Sequence, residues 1–165
     1  MSVEIFLQND SLITSKTDLK GRITYANDDF LKYAGYSMQE ILYKAHNIVR
    51  HEKMPKSVFK LLWDYIKNGQ EIFAFVKNKT KDGNFYWVFA NVTASFDENG
   101  KIINYYSVRR APNRKVLPTI EGVYKILMQE EKKGGINAGV KALMNIVSSY
   151  NMSYNELIFN LQNNN

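Results

Sequence analysis

The chain has 165 residues, which is the size of one domain with an extension, and 45% of them are hydrophobic, so the composition favours a folded domain over a disordered chain. It contains no cysteine, which excludes disulfides, thiolate catalysis and cysteine-based metal sites. The formal net charge of +6 is concentrated in residues 50–81, which carry eight Lys and Arg against three Asp and Glu, and this basic centre suits an anionic ligand as well as a solvated surface.

Two short strands and two short helices are predicted in the first part of the chain. The strands, at 11–16 and 23–25, flank a turn in which Gly21 supplies the permissive backbone conformation. Asn27 is a typical helix N-cap, and a serine capping box begins a second short helix. A loop rich in His, Lys and Arg then occupies residues 44–56.

A longer amphipathic helix follows this loop. Its apolar residues recur at a spacing of three and four, at Val58, Phe59, Leu62, Trp63 and Ile66. Strand patterns then run over 71–79, 85–96 and 101–109, with Asp-Gly and Asn-Gly turn signals between them. This order of elements predicts an α+β fold in which short helices pack on one face of a five-stranded antiparallel sheet.

The last part of the chain predicts a helical extension. One helix begins near Pro118, the Gly134–Gly135 pair interrupts the pattern, and a capping box at Ser153 begins a last helix. Isolated helices this short are marginal in water, so their apolar stripes are expected to pack on the sheet, on a second copy of the chain or on a receptor. We favour homodimerisation or receptor docking.

The run from Asn47 to Pro55, Asn-Ile-Val-Arg-His-Glu-Lys-Met-Pro, resembles the segment before the long helix in the FAD-binding PAS domains of bacterial aerotaxis receptors. Further pieces agree in order and spacing over residues 12–110, among them Ile23–Asp28, Tyr86–Val88 and Tyr106–Arg109. In that family the loop usually reads His-Pro-Asp-Met-Pro, whereas Glu52 and Lys53 stand in this chain. The departure leaves open whether Glu52 replaces the family's acid.

The resemblance implies a cytoplasmic PAS sensor that binds FAD and reports redox state. We divide the chain into an N-terminal cap at residues 1–10, a PAS sensor domain at 11–112 and a helical tail at 113–165. The resemblance also implies the free-standing PAS half of a bipartite energy-taxis receptor, whose partner is a membrane-bound chemotaxis-type receptor. Because the chain has no cysteine, a bound flavin cannot form a cysteinyl adduct.

Six residues are candidates for the cofactor site: Asn27, His46, Arg50, His51, Trp63 and Asn78. A ring at Trp63 can stack on a flavin, with plain core packing as the alternative. Asn78 lies within a strand, where Asn is depleted, and its amide can both donate and accept at the pyrimidine edge of a flavin. Arg50 offers a planar fork for a phosphate or a carbonyl, and the two histidines flank it. The resemblance implies that Asn27 helps to shape the pocket.

Other functions remain open at this point. A haem-binding PAS sensor would use His46 or His51 as an axial ligand, and a PAS domain can also be a cofactor-free interaction module. A DNA-binding tail is disfavoured because residues 115–165 have a charge balance of only +1. No enzyme is expected, since no nucleophile–base pair stands out, and no run is long and apolar enough for direct membrane insertion.

Overall fold

The computed structural model describes residues 1–164 and confirms the α+β architecture. Five strands form one antiparallel sheet in the order β2-β1-β5-β4-β3. The strands are β1 (Ile13–Thr17), β2 (Ile23–Ala26), β3 (Ile72–Lys79), β4 (Phe85–Phe96) and β5 (Ile102–Arg110). The predicted strand boundaries lie within two residues of these, because each strand is bounded by the turn residues that identified it.

Five α-helices and one 3-10 turn at His46–Val49 complete the fold. The helices are α1 (Asp28–Ala34), α2 (Met38–Ile41), α3 (Lys56–Lys67), α4 (Leu117–Ser148) and α5 (Tyr154–Asn163). The Asn27 side chain caps α1 by accepting from the backbone N–H of Phe30, as predicted. Although α4 has 32 residues, neither it nor any other helix within residues 1–164 is apolar enough to span a bilayer.

The sheet has two faces with different neighbours, since successive side chains of a strand point to opposite sides. One face, here called the cavity face, carries among others Ser107, Ala90 and Asn78 and lies against α3 and the 3-10 turn. The opposite face carries Phe73 and Trp87 and lies against α4 and α5; it is here called the tail face.

Aromatic contacts hold the tail helices to the tail face. The Trp87 and Tyr124 rings stack with centroids 6.2 Å apart, and the Phe73 and Phe159 rings lie 5.4 Å apart. Leu127 is fully buried in the same core. Of the three expected neighbours of the tail, the structure shows its own sheet; receptor docking and homodimerisation stay predictions.

Side chains of the tail also cover the outer edge of β3, which has no neighbouring strand. The Tyr124 hydroxyl donates to the carbonyl of Phe75 at 2.5 Å. Asn155 accepts from the N–H of Phe73 at 3.0 Å and donates to the carbonyl of Glu71 at 2.8 Å. Unpaired strand edges invite pairing with other chains, so these contacts protect the sheet as well as anchoring the tail.

A backbone break inside α4 lets both of its halves pack inward. Gly135 has φ 80° and ψ −171°, a conformation that is essentially restricted to glycine. In an unbroken helix, which turns about 100° per residue, the buried stripe through Tyr124 and Leu127 and the stripe through Leu143 and Val147 would lie roughly 150° apart. The predicted interruption at Gly134–Gly135 therefore falls where the two stripes need to be realigned.

The tail is tied to the helix that lines the cavity face. The residue at the N-cap position of α3 is Pro55, whose side chain makes no hydrogen bond to the helix. Instead the Glu131 carboxylate accepts from the backbone N–H groups of Lys56 at 3.1 Å and Ser57 at 2.8 Å, and from the Ser57 hydroxyl at 2.6 Å. A carboxylate at a helix N-terminus satisfies unpaired donors and complements the helix dipole, so Glu131 joins α4 to α3.

Candidate cofactor cavity

A cavity of about 270 Å³ lies between the cavity face of the sheet and α3. This volume is near the lower end of the roughly 300–1,000 Å³ found for small-molecule pockets. Phe59, Leu62 and Trp63 of α3 form one wall, and Ala90 and Val92 of β4 belong to the sheet side. The protein's own side chains therefore leave open a largely apolar slot between a helix and a sheet.

Trp63 is the largest side chain of the helical wall, and a glycine turn packs directly against it. Its ring meets the Tyr105 ring edge to face, with centroids 5.5 Å apart. On the β1–β2 turn, Gly21 has φ +82°, and a Cβ atom added there would lie 2.9 Å from Cζ2 of the Trp63 ring. Glycine is thus required at this position both by its positive φ and by the close approach of the indole.

A buried polar cluster closes one end of the cavity. Nη2 of Arg109 donates to Nε2 of His46 at 2.6 Å and to Oγ of Ser15 at 3.3 Å. The Ser15 Oγ lies 3.0 Å from the same His46 nitrogen. Ser107, two residues before Arg109 and on the same face of β5, also lines the cavity.

His46 is neutral in this environment. Burial, followed by the positive charges of Arg109 and Arg50, lowers the pKa of His46 from 6.5 to about 3. Because Nε2 accepts from Arg109, the ring proton is assigned to Nδ1. The proximity of Ser15 to His46 brings together a nucleophile and a base that the sequence pattern did not indicate. The guanidinium engages the lone pair that would take the serine proton, and a base this weak gives no support to acyl-transfer chemistry.

Arg50 and Asn78 meet at another part of the lining. Their backbones form an isolated antiparallel bridge, and the Asn78 side chain is buried on the face that its strand parity predicts. The Arg50 guanidinium lies 3.7 Å above the Phe59 ring centroid, and burial lowers the pKa of Arg50. Burial also raises the pKa of Tyr86, the cross-strand partner of Asn78, to about 12, so this phenol is neutral.

Three buried polar atoms of the lining residues have no hydrogen-bond partner within the described chain: Nε of Arg50, Oγ of Ser107 and Nη1 of Arg109. Buried polar groups in native proteins are almost always satisfied, and leaving one unpaired costs about 1–3 kcal/mol. The three atoms are therefore the places at which a ligand with polar edges would be held.

The structure brings together four of the six predicted site residues. His46, Arg50, Trp63 and Asn78 all line the cavity. Asn27 does not, because its amide is used locally: its Oδ1 accepts from the N–H groups of Thr14 and Phe30, and its Nδ2 donates to the carbonyl of Leu12.

His51 also lies outside the cavity lining. Its Nδ1 accepts from the N–H of Lys53 at 3.0 Å, and its ring packs against Phe85 with centroids 5.9 Å apart. The assignment of all six residues to a cofactor site remains a prediction, and for Asn27 and His51 any such role would be indirect.

Arg109, Ser107, Tyr105 and Ser15 line the cavity but were not among the predicted site residues. The block Tyr106–Arg109 carried part of the family resemblance, yet nothing in it was assigned to the site. A usable signal was the alternation of β5, since Tyr105, Ser107 and Arg109 share one face. An arginine in register with core positions indicates either a buried charge or a ligand contact.

The chain matches known proteins along most of its length. The sequence profile of the family described as PAS fold matches residues 23–109. The aerotaxis receptor of Escherichia coli (strain K12) is 38% identical over 134 residues, which are 81% of this chain and 26% of the receptor. The nitrogen fixation regulatory protein of Klebsiella pneumoniae is 25% identical over 63% of this chain and 21% of that protein. The chain thus spans about a quarter or less of these curated relatives.

Solved structures show the same fold. The light-state structure of the blue-light photoreceptor Aureochrome1 LOV aligns with a TM-score of 0.57 and 25% identity, covering 73% of this chain and 91% of that chain. A light-oxygen-voltage domain studied with a flavin analogue aligns with a TM-score of 0.59 at 20% identity, covering 74% of this chain and 87% of that chain. Together with a family profile that covers more than half of the sequence, the five-stranded sheet and its helix-walled cavity place the chain in the PAS fold family.

Proposed function

We propose that this chain is a redox sensor that binds FAD in the cavity between α3 and the sheet. The observation that carries the proposal is the cavity itself, because it combines aromatic walls with buried polar atoms that have no partner within the described chain. A planar heteroaromatic ring with a polar edge can stack on the aromatic walls and can hydrogen-bond to the polar atoms that lack partners. The resemblance to aerotaxis receptors and the flavin named for the light-oxygen-voltage neighbour support the same ligand class.

The residues present fit a flavin. Trp63 and Tyr105 offer aromatic surface beside the ring, while the Asn78 amide, Ser107 and Arg109 offer hydrogen bonds to its pyrimidine edge. A cavity of about 270 Å³ suits the ring system rather than a whole dinucleotide, so the phosphates would lie towards Lys20 and Arg50. When bound, FAD supplies reversible electron transfer; the residues of this chain orient it, exclude water and hold its polar edge.

The route from cavity to output runs through α3 in this proposal. Helix α3 carries the cavity wall at Phe59 and Trp63, and its N-terminus is capped by Glu131 of the tail. A change in hydrogen bonding or shape at the wall therefore reaches α4 by a direct contact. In this proposal the tail is the two-state element that a local charge change biases. The partner we propose is a membrane-bound chemotaxis-type receptor, met in the cytoplasm.

A haem sensor is less well supported by the geometry. The Nε2 atom of His46 already accepts from Arg109, and His51 does not line the cavity. Both histidines would have to leave these positions before either of them became an axial ligand. A cofactor-free interaction module would leave unexplained why three buried polar atoms of the lining lack partners.

The absorption spectrum of the purified protein tests the proposed function. The expected result is a pair of flavin bands that bleach with dithionite, and release of FAD rather than FMN on heat denaturation. A Soret band would establish the haem alternative instead. A colourless protein that takes up neither FAD nor FMN on reconstitution would leave only the interaction module.

A further inference from the structure

Arg109 is a buried cation without an acidic partner. The residue is 5% exposed, and none of the ion pairs found among residues 1–164 involves it. Burial lowers the pKa of Arg109 to about 10, so the guanidinium stays charged at neutral pH. Because an unpaired buried charge is unfavourable, its presence here needs an explanation beyond packing.

All of the charged side chains that line the cavity are positive. The lining includes Lys20, Arg50 and Arg109 but no aspartate or glutamate. Coulomb interactions are strong where water is excluded, so a ligand that gains negative charge inside this lining is stabilised relative to its neutral form. Among the three cations Arg109 is the most deeply buried, whereas Lys20 is on the exposed β1–β2 turn.

His46 fixes the position of the guanidinium without neutralising it. The neutral imidazole accepts from Nη2 of Arg109 at 2.6 Å, and Nη1 is left buried and without a partner. A carboxylate at this place would have cancelled the positive charge. The arrangement therefore leaves Nη1 of the charged guanidinium available to donate to a ligand.

We propose that Arg109 makes the cavity selective for the reduced state of its flavin, by binding through Nη1 the edge of the ring that becomes negative on reduction. The proposal rests on the proposed function. Reduction by two electrons and one proton, taken from an external reductant of the dithionite or hydride-donor class, leaves the ring with one additional negative charge. Arg109 pairs with that charge, so the bound flavin is easier to reduce than it would be without the guanidinium.

This redox role and a purely structural role of Arg109 predict different effects on apoprotein stability and on flavin potential. Removing Arg109 relieves the apoprotein of an uncompensated buried charge, and Ser15 can then donate to His46 at their existing separation of 3.0 Å. The apoprotein is expected to lose no stability. The same change removes the cation that pairs with the reduced ring. The apoprotein should therefore keep its stability while the preference for the reduced flavin falls.

The experiment compares Arg109→Met with Arg110→Met. Arg110 is the next residue of β5, exposed and on the opposite face, so it controls for loss of one positive charge. The midpoint potential of bound FAD is measured by spectroelectrochemical titration, and thermal unfolding is measured for each apoprotein. Arg109→Met is expected to bind oxidised FAD more weakly than the wild type and to unfold at or above the wild-type temperature. It is also expected to lower the preference for the reduced form at least tenfold, which lowers the midpoint potential by about 30 mV for a two-electron couple. Arg110→Met should match the wild type.

Arg109→Lys, which keeps a cation, is expected to retain most of the wild-type potential. An unchanged or higher potential in Arg109→Met would overturn the inference while leaving flavin binding intact. Marked destabilisation of the Arg109→Met apoprotein would also overturn it, because the arginine would then be structural. If the wild type binds no flavin, the proposed function fails first and this inference fails with it.

Discussion

The two faces of the sheet treat most of their polar groups in opposite ways, although Oδ1 of Asn104 on the tail face is also buried without a partner within the described residues. On the tail face and along the β3 edge, Tyr124 and Asn155 satisfy backbone groups of the strand directly, and Leu127 of the tail is fully buried. On the cavity face, Ser107 and Arg109 keep buried polar atoms without partners, and a void remains beside them. Both faces belong to the same sheet, so the contrast arises from their different neighbours, which are the tail helices on one side and the cavity on the other.

The comparison shows how to distinguish a permanent neighbour from a transient one. A face that is covered permanently can satisfy its hydrogen bonds within the chain, since its partner is always present. A face that awaits a ligand must leave donors and volume for it, at some cost to the stability of the apoprotein. Substitutions on the tail face should therefore act mainly on stability, and those on the cavity face mainly on binding.

The largest effect is expected for Leu127→Ala on the tail face. Leu127 is fully buried, so its truncation should lower the free energy of unfolding of the apoprotein by about 2–5 kcal/mol. The matched variant is Leu62→Ala on the cavity wall, which should cost about 1 kcal/mol because Leu62 is half-buried and already borders a void, but should weaken flavin binding. Urea unfolding of both apoproteins measures the difference. Equal losses of unfolding free energy in Leu127→Ala and Leu62→Ala would contradict the proposed difference between the two faces.

The sequence predicts those parts of the fold that are determined by residues close together in the chain. Turn dipeptides, capping boxes and the helix N-cap at Asn27 fixed the strands, the short helices and their order. The neighbour of the tail was not readable, because the apolar stripes of α4 and α5 fit the sheet, a second chain or a receptor equally well until the contacts of Tyr124 and Asn155 are known.

The site is readable only in part, for a related reason. Arg50 and Trp63 belong to a distinctive loop and an amphipathic helix, and they were predicted from those patterns. Arg109 belongs to a strand whose inward face depends on its pairing with β1 and β4, which is non-local. Asn27 and His51 show the converse, because their polar atoms are used by nearby backbone groups that a residue pattern does not reveal.

The next largest effect is expected for Gly135→Ala in α4. A Cβ atom there would meet nothing within 4 Å, so only the positive φ of 80° opposes the substitution. The strain should lower the free energy of unfolding by about 1–3 kcal/mol, and it should loosen the tail from the sheet. Gly122→Ala is the matched control in the same helix, since its Cβ also meets nothing within 4 Å and its backbone is helical.

The control should gain about 0.5–1 kcal/mol, because alanine is the better helix former. Limited proteolysis of the tail, followed in parallel with thermal unfolding, reports on docking separately from global stability. If Gly135→Ala were as stable as Gly122→Ala, the break in α4 would not be needed for packing on the tail face.

The smallest effect concerns the acid sensitivity of the polar end of the cavity. His46 has a pKa of about 3 in the folded protein, against 6.5 for an ordinary histidine. Between these values the unfolded chain binds a proton that the folded protein does not, so stability is retained above about pH 6.5 and falls as the pH falls towards 3. Between pH 7 and pH 5 the apoprotein should lose roughly 1–2 kcal/mol through His46.

The variant His46→Gln keeps an acceptor for Arg109 and does not titrate, so its unfolding free energy should depend less on pH. Burial also lowers the pKa of His51, but this contribution is common to both proteins and cancels in the difference. Identical slopes between pH 5 and pH 7 would show that His46 does not carry the acid sensitivity.

Filling the cavity from the sheet side tests the central claim most directly. Ala90 is buried on the cavity face of β4, and Thr93 lies on the opposite face of the same strand, so Ala90→Phe and Thr93→Phe add the same ring to the two sides of one sheet. Equilibrium binding of FAD to the apoproteins, followed by flavin fluorescence, is the measurement. The account predicts that the wild type and Thr93→Phe bind FAD and that Ala90→Phe, though folded, does not. Binding by Ala90→Phe with wild-type affinity, or no binding by the wild type, would contradict it.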